Sequence, residues 1–107
     1  ESNLIEHMGR WVMQTACMQS AKLSKLTGHA FPISVNVSAR QFYHRQFVRS
    51  VESMLNKSGL EPSSLEIEIT EGVLVEQTRQ FINVLNNLKS MGVKLAIDDF
   101  GTGYSSI

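Results

Sequence analysis

The chain has 107 residues, 42% hydrophobic and 19% charged, and its ten basic and ten acidic side chains cancel. This composition excludes a disordered chain and gives no overall electrostatic footprint for DNA, RNA or an anionic membrane. The single cysteine, Cys17, excludes an intrachain disulfide and favours a reducing, cytoplasmic compartment, with a structural rather than reactive thiol. No segment approaches the roughly 20 apolar residues of a membrane span, although a longer protein could carry an anchor elsewhere.

Three helices are predicted from apolar residues at helical spacing, and each pattern ends at a glycine. The first runs from Leu4 to Gly28, the second from Phe47 to Gly59 and the third from Phe81 to Gly92. We expect the apolar stripes to face the core, including the methionines and the first helix's Met8, Trp11, Val12, Ala16, Leu23 and Leu26.

Strands are predicted at residues 33–38, 65–70 and 93–98, about 30 residues apart with a helix between each pair. Such repeated strand–helix–strand units predict a parallel sheet and an α/β fold. Alternation along each strand places aliphatic side chains on one face, whereas Asn36, Glu68 and Asp98 project from the other face near the carboxyl ends. A polar face at the strand tips favours part of a (β/α)₈ TIM-type barrel, with a doubly wound sheet as the second choice.

Oxygen donors gather at these strand ends. Asn36, Glu68, Glu71, Asp98 and Asp99 offer one amide and four carboxylates, the ligand types that Mg²⁺ and Mn²⁺ prefer. Adjacent aspartates repel each other, so a divalent metal would compensate them. The alternative is a solvated polar rim. No Cys/His cluster supports a structural zinc site.

Three further residues are candidates for contacting an anionic ligand. Arg40 and Gln41 directly follow the first strand and could reach the rim, although an exposed helix start explains them equally well. Gly101, in the run Gly101-Thr102-Gly103, could expose backbone N–H groups to a phosphate. A tight turn accounts for this run about as well.

Three stretches of the chain resemble the EAL domain, the bacterial family that hydrolyses cyclic di-GMP. They are residues 35–42 (VNVSARQF), 65–71 (LEIEITE) and 97–106 (IDDFGTGYSS). The resemblance implies a (β/α)₈ barrel whose first strand is antiparallel to the rest, and hydrolysis of cyclic di-GMP to linear pGpG by two Mg²⁺ or Mn²⁺ ions. It implies that Asn36, Glu68 and Asp98 bind one metal, that Asp98 and Asp99 bind the second, and that Glu71 braces a loop.

The resemblance covers only the first helix through the fourth strand, so we expect residues 1–107 to be the N-terminal half of the barrel without its first strand. The family's Glu-Ala-Leu signature and its later Lys, Glu and Gln are not in the sequence. We therefore expect a longer protein, carrying sensor or GGDEF-type domains, and a fragment inactive alone. A degenerate domain that binds cyclic di-GMP or a protein partner without hydrolysis is the alternative. Open sheet edges at 33–38 and 93–98 predict self-association.

Overall fold

A computed structural model describes residues 2–70, 72–73, 78–99 and 103–106, with side chains for 7–70, 72–73 and 79–97. Helices and strands alternate along the chain, as the sequence pattern predicts. The α-helices are α1 (Ser2–Thr27), α2 (Ala39–Phe42), α3 (Phe47–Ser58) and α4 (Thr78–Met91), and the strands are β1 (Ile33–Val37), β2 (Leu65–Thr70), β3 (Lys94–Asp99) and β4 (Gly103–Ser106). A 3₁₀ helix, Pro62–Ser64, directly precedes β2.

The described strands form one sheet in the order β1-β2-β3-β4. Strand β1 is parallel to β2, and β2 is parallel to β3. The three predicted strands and their parallel arrangement are therefore confirmed, with boundaries that differ by one residue at β1 and β3. Because the strands are parallel and adjacent, their carboxyl ends lie along one edge of the sheet.

Strand β4 was not predicted. It pairs antiparallel with β3, with Asp99 opposite Gly103 and Ala96 opposite Ser106. The prediction of an open sheet edge at residues 93–98 is therefore wrong. The outer strands of the described sheet are β1 and β4. Four residues with two adjacent serines give no clear strand signal, but a nearby β3 edge supplies backbone hydrogen-bond partners that antiparallel pairing can satisfy.

The core lies between the helices and the aliphatic face of the sheet. Alternate strand residues are buried there, among them Leu65, Ile67 and Ile69 of β2, which have no exposed surface. Phe42 lies at the centre of an aromatic cluster, with ring centroids 5.2–5.8 Å from those of Tyr43, Phe47 and Phe81. Because the aliphatic side chains are buried on one face of the sheet, the opposite, polar face is available for a site.

The prediction that the bulky apolar stripe of α1 faces the core is wrong for its large side chains, although Ala16 of that stripe does pack against the core. Trp11 is 67% exposed, whereas Met13, Cys17 and Ser20 are buried against the rest of the fold. The helix carries two apolar faces: the narrower one, with small side chains, packs closely against α3 and β1, and the bulkier one points away. Exposed members of the bulky face are Met8, Trp11, Val12, Met18, Leu23 and Leu26.

The predicted glycine ends of the three long helices are confirmed. Gly28 and Gly59 both have φ of 74°, and Gly92 has φ of 96°. The Gly59 N–H donates to the Leu55 carbonyl and closes α3 in the left-handed conformation that glycine adopts without strain. These turns direct the chain from each helix toward the next strand.

One short helix was missed. Helix α2 begins directly after β1, capped by Ser38, whose side chain accepts from the Gln41 N–H while the Gln41 side chain accepts from the Ser38 N–H. Serine followed three residues later by glutamine is a capping-box pattern, so the signal was present in the sequence. This helix fixes the chain as it leaves the carboxyl end of β1.

Candidate metal site at the carboxyl ends of the strands

The polar face of the sheet is organised as two rows across the strands. In the lower row Ser34 is in register with Glu66, and Glu66 with Lys94. In the upper row, one step closer to the carboxyl ends, Asn36 is in register with Glu68. The prediction that Asn36 and Glu68 lie together on adjacent strands is therefore supported by their register.

The two rows differ in how their carboxylates are satisfied. In the lower row the Ser34 hydroxyl donates to Glu66 Oε1 at 2.8 Å. In the upper row Asn36 is exposed and Glu68 is half-buried, and neither side chain has a hydrogen-bond partner among the described residues. The upper row thus presents an amide oxygen and a carboxylate to a ligand, while Glu66 already has a structural partner.

Asp98 and Asp99 are the last two residues of β3, at the same edge of the sheet as the ends of β1 and β2. Asp98 is in register with Thr70 and lies two positions beyond Ala96, the β3 residue opposite Glu68. This backbone placement brings the two aspartates to the carboxyl rim. The structure describes no side chain beyond residue 97, so their donor atoms are outside its description.

Two other predicted site residues, Glu71 and Gly101, lie outside the described residues. Among the described side chains, no three His, Cys, Asp or Glu residues come together as a metal site. Of the four predicted metal ligands, only Asn36 and Glu68 have side chains that the structure describes. Asn36 and Glu68 both offer oxygen donors, the ligand type that Mg²⁺ and Mn²⁺ prefer.

Arg40 and Gln41, the predicted anion contacts, both lie on α2. Arg40 is exposed beside the rim. Gln41 has a structural task, because its Oε1 accepts from the Ser38 N–H at 3.1 Å in the capping box. Its amide nitrogen lies over Gly9 of α1, where a Cβ would be 2.0 Å away. Arg40 therefore remains the freer of the two for a ligand.

Tyr43 is a further residue near the rim, and no sequence pattern indicates its role. Its hydroxyl, at the end of α2, donates to the Val73 carbonyl at 2.5 Å, and its own carbonyl accepts from Gln80 Nε2 at 3.3 Å. The first bond joins the connection after β1 to the connection after β2. No sequence pattern marks such a bond, because its partners are 30 residues apart.

The remaining chemistry of the described residues is structural. Cys17 is a free, fully buried cysteine, and burial raises the pKa of its thiol. A thiol held in its protonated form is a poor nucleophile. Among the described helices, none combines the length and apolar character needed to cross a bilayer.

Parallel strands with oxygen donors at their carboxyl ends and helices on one face define an α/β protein of the β/α-barrel type, in which that rim holds the active site. The EAL domain model matches residues 1–107. The chain belongs to the EAL domain family.

Individual relatives agree with this assignment. MucR of Pseudomonas aeruginosa, named a bifunctional diguanylate cyclase/cyclic di-GMP phosphodiesterase, is 44% identical over all of this chain and 16% of its own length. The PaMucR phosphodiesterase in complex with c-di-GMP superposes with a TM-score of 0.87 at 41% identity, covering 98% of this chain and 42% of that one. Klebsiella pneumoniae BlrP1, solved as a calcium/cy-diGMP complex, gives 0.72 at 32% identity, covering 94% and 25%.

This chain therefore spans less than half the length of each of these relatives. Its fold corresponds to part of the EAL barrel.

Proposed function

We propose that this chain is the N-terminal half, without the first strand, of an EAL barrel that hydrolyses cyclic di-GMP to linear pGpG with two Mg²⁺ or Mn²⁺ ions. The observation that carries the proposal is the register of Asn36 with Glu68 on adjacent strands. On the next strand Glu68 is opposite Ala96, which lies two residues before Asp98. Cyclic di-GMP is named for the MucR relative and for the PaMucR and BlrP1 complexes.

Asn36, Glu68 and Asp98 are proposed to hold the first metal, and Asp98 with Asp99 the second. When bound, such a pair of ions activates a water and stabilises the charge of an in-line displacement at phosphorus. Asn36 supplies a neutral oxygen, so the negative charge at the first metal comes from Glu68 and Asp98. A neutral ligand limits that negative charge, which would otherwise repel the phosphodiester.

Arg40 is proposed to contact the phosphodiester from the start of α2, where its exposed side chain can reach the rim. Gln41 and Gly101 are proposed as weaker contacts to the substrate. Glu71 is proposed to brace the loop after β2. The Tyr43 hydroxyl bond to Val73 anchors the same connection two residues further on.

The chain alone is proposed to be inactive and to self-associate through its outer strands, because an exposed strand edge offers unpaired backbone groups. Those strands are β1 and β4 in the described sheet. Light scattering at several concentrations tests this proposal, and a monodisperse monomer would contradict it. A longer cytoplasmic protein, with sensor or GGDEF-type domains, is proposed to supply the rest of the barrel.

The decisive experiment is a hydrolysis assay on the full-length protein with cyclic di-GMP and either Mg²⁺ or Mn²⁺. We expect pGpG as the product, its loss on chelation, and a large fall in kcat for Glu68→Gln. Glu66→Gln is the matched control, since Glu66 lies on the same strand and polar face but bonds to Ser34. Binding of cyclic di-GMP without hydrolysis would instead establish the degenerate alternative.

A further inference from the structure

The net charge of zero conceals an uneven distribution of charge along the chain. Between residues 7 and 60 there are seven basic side chains and one acidic side chain, Glu52. The later part of the chain, 61–107, carries the reverse imbalance, with three basic and seven acidic side chains. Helices α1 and α3 themselves carry five basic and two acidic side chains, so this helical layer is net basic even though the whole molecule is neutral.

Three of these cations line the furrow between α1 and α3. Arg10 of α1 and Arg49 and Lys57 of α3 line it together with neutral hydrogen-bonding side chains, and no Asp or Glu is among the lining residues. The lining positions recur at helical spacing and form one continuous stripe: Gln46, directly before α3, and Arg49, Ser50, Ser53 and Lys57 of α3.

The furrow continues toward the C-terminal end of α1. There Lys57 is shared with a second concavity, lined also by Lys22, Lys25 and the half-exposed Met18. From Arg10 to Lys25 the basic side of α1 extends about 22 Å at the rise of an α-helix. The lining of this second part likewise includes no acidic residue.

We propose that the furrow between α1 and α3 is a docking site for an acidic polypeptide segment. Its basic walls complement carboxylates, its glutamines and serines offer hydrogen bonds to side chains or backbone, and Met18 offers an apolar contact. Charge complementarity of this kind selects partners and accelerates association. The proposal is independent of the rim chemistry, because the furrow is built from the outer helices and not from the strand ends.

An elongated segment suits the furrow better than the other anionic ligands. A single phosphate would use one or two cations and leave the others unmatched along the 22 Å of helix. A flat anionic membrane would contact the outward ridge of α1, with Trp11, Lys22 and Leu26, and could not enter the furrow to match the cations on its walls. A helix of about 15 residues with Glu at helical spacing spans the whole length.

The test measures, by fluorescence anisotropy, how tightly a fluorescein-labelled acidic peptide of about 15 residues binds to the full-length protein. The matched probe has Gln in place of every Glu. We expect the acidic peptide to bind and the Gln peptide not to bind, with an affinity that falls as salt is added. Absence of binding at low salt, or equal binding of both peptides, would overturn the proposal.

A pair of charge-reversed variants locates the site. Arg49→Glu with Lys57→Glu should weaken binding of the acidic peptide at least tenfold. The control, Arg79→Glu with Lys89→Glu, reverses two exposed charges on α4 and should change it less than twofold. Equal losses in both variants would show that the attraction is non-specific and would contradict the furrow. If the reversed pair fails to fold by circular dichroism, Arg49→Gln with Lys57→Gln replaces it.

Vesicles of phosphatidylcholine with one quarter phosphatidylglycerol distinguish the membrane alternative. We expect no co-sedimentation of the protein with these vesicles. Co-sedimentation that depends on Arg49 and Lys57, without binding of the acidic peptide, would assign the furrow to a lipid surface and overturn the proposal.

Discussion

Gly9 of helix α1 lies directly beneath the Gln41 side chain of helix α2. A Cβ at position 9 would be 2.0 Å from Gln41 Nε2 and 2.8 Å from its Cδ, so only glycine allows this approach. The same Gln41 side chain accepts from the Ser38 N–H in the capping box that follows β1. The contact therefore couples the packing of α1 to the chain immediately after Asn36.

This coupling predicts that Gly9→Ala leaves the stability of the wild-type chain nearly unchanged but stabilises a Gln41→Ala variant. In the wild-type chain the new methyl displaces Gln41 and weakens a cap that contributes about 1 kcal/mol, which offsets the helix-propensity gain of about 1 kcal/mol. In a Gln41→Ala background only the gain remains, so the double variant should be more stable than Gln41→Ala. Urea unfolding of all four chains measures the coupling.

Ser38→Ala is the control for that cycle, because it removes the cap hydroxyl but keeps the Gln41 side chain over Gly9. Gly9→Ala should still fail to stabilise this variant. Additive free energies of unfolding across the Gly9 and Gln41 pair would contradict the close approach.

Tyr43→Phe should lower the free energy of unfolding by about 1 kcal/mol, the usual net value of a protein hydrogen bond. The phenyl ring keeps its packing against Phe42, while the carbonyl of the buried Val73 loses its donor. The urea midpoint should fall with an unchanged m-value. An unchanged midpoint would show that the bond between the two rim connections adds nothing to stability.

Trp11→Gln and Met13→Ala should separate the two apolar faces of α1. Trp11 is 67% exposed, so its replacement should change the free energy of unfolding by less than about 0.5 kcal/mol. Met13 is 1% exposed, and its truncation should cost about 2–5 kcal/mol. Because Trp11 is the single tryptophan, quenching of its fluorescence by acrylamide reports its exposure directly. A shielded Trp11 would indicate that this face is covered, for example by a second copy.

Stability should decline at alkaline pH because of Cys17. Burial raises the pKa of its thiol above the ordinary value of 9.0, while the unfolded thiol titrates near that value. The protonated thiol therefore favours the folded state fully below pH 9.0, and this contribution is lost as the pH rises toward the folded pKa. Cys17→Ala removes the thiol, so urea midpoints compared at neutral and alkaline pH should show a shallower decline in that variant.

The sequence pattern was sufficient for the parts of the fold that repeat. Alternation indicates the strands and the common polar face of Asn36 and Glu68, whose register the structure adds, and terminal glycines such as Gly59 mark the helix ends. These features follow from local periodicity and backbone preference, which a sequence displays directly.

Other features depend on distant parts of the chain and could not be read in this way. On α1 both faces are apolar, and which one is buried depends on how closely α3 and β1 approach small residues such as Cys17. The antiparallel addition of β4 and the bond from Tyr43 to Val73 are likewise tertiary choices. Helix α2 is different, since Ser38 and Gln41 signalled it.

The central claim is that the upper row of the polar face, and not the lower row, holds a metal. Titration of the full-length protein with Mn²⁺, measured by calorimetry, tests this claim on Glu68→Gln and on the matched Glu66→Gln. We predict that Glu68→Gln weakens Mn²⁺ binding at least tenfold. Glu66→Gln keeps an oxygen that accepts from Ser34, and it should change Mn²⁺ binding less than twofold. Equal effects of the two variants, or no Mn²⁺ binding by the wild-type full-length protein, would contradict the account.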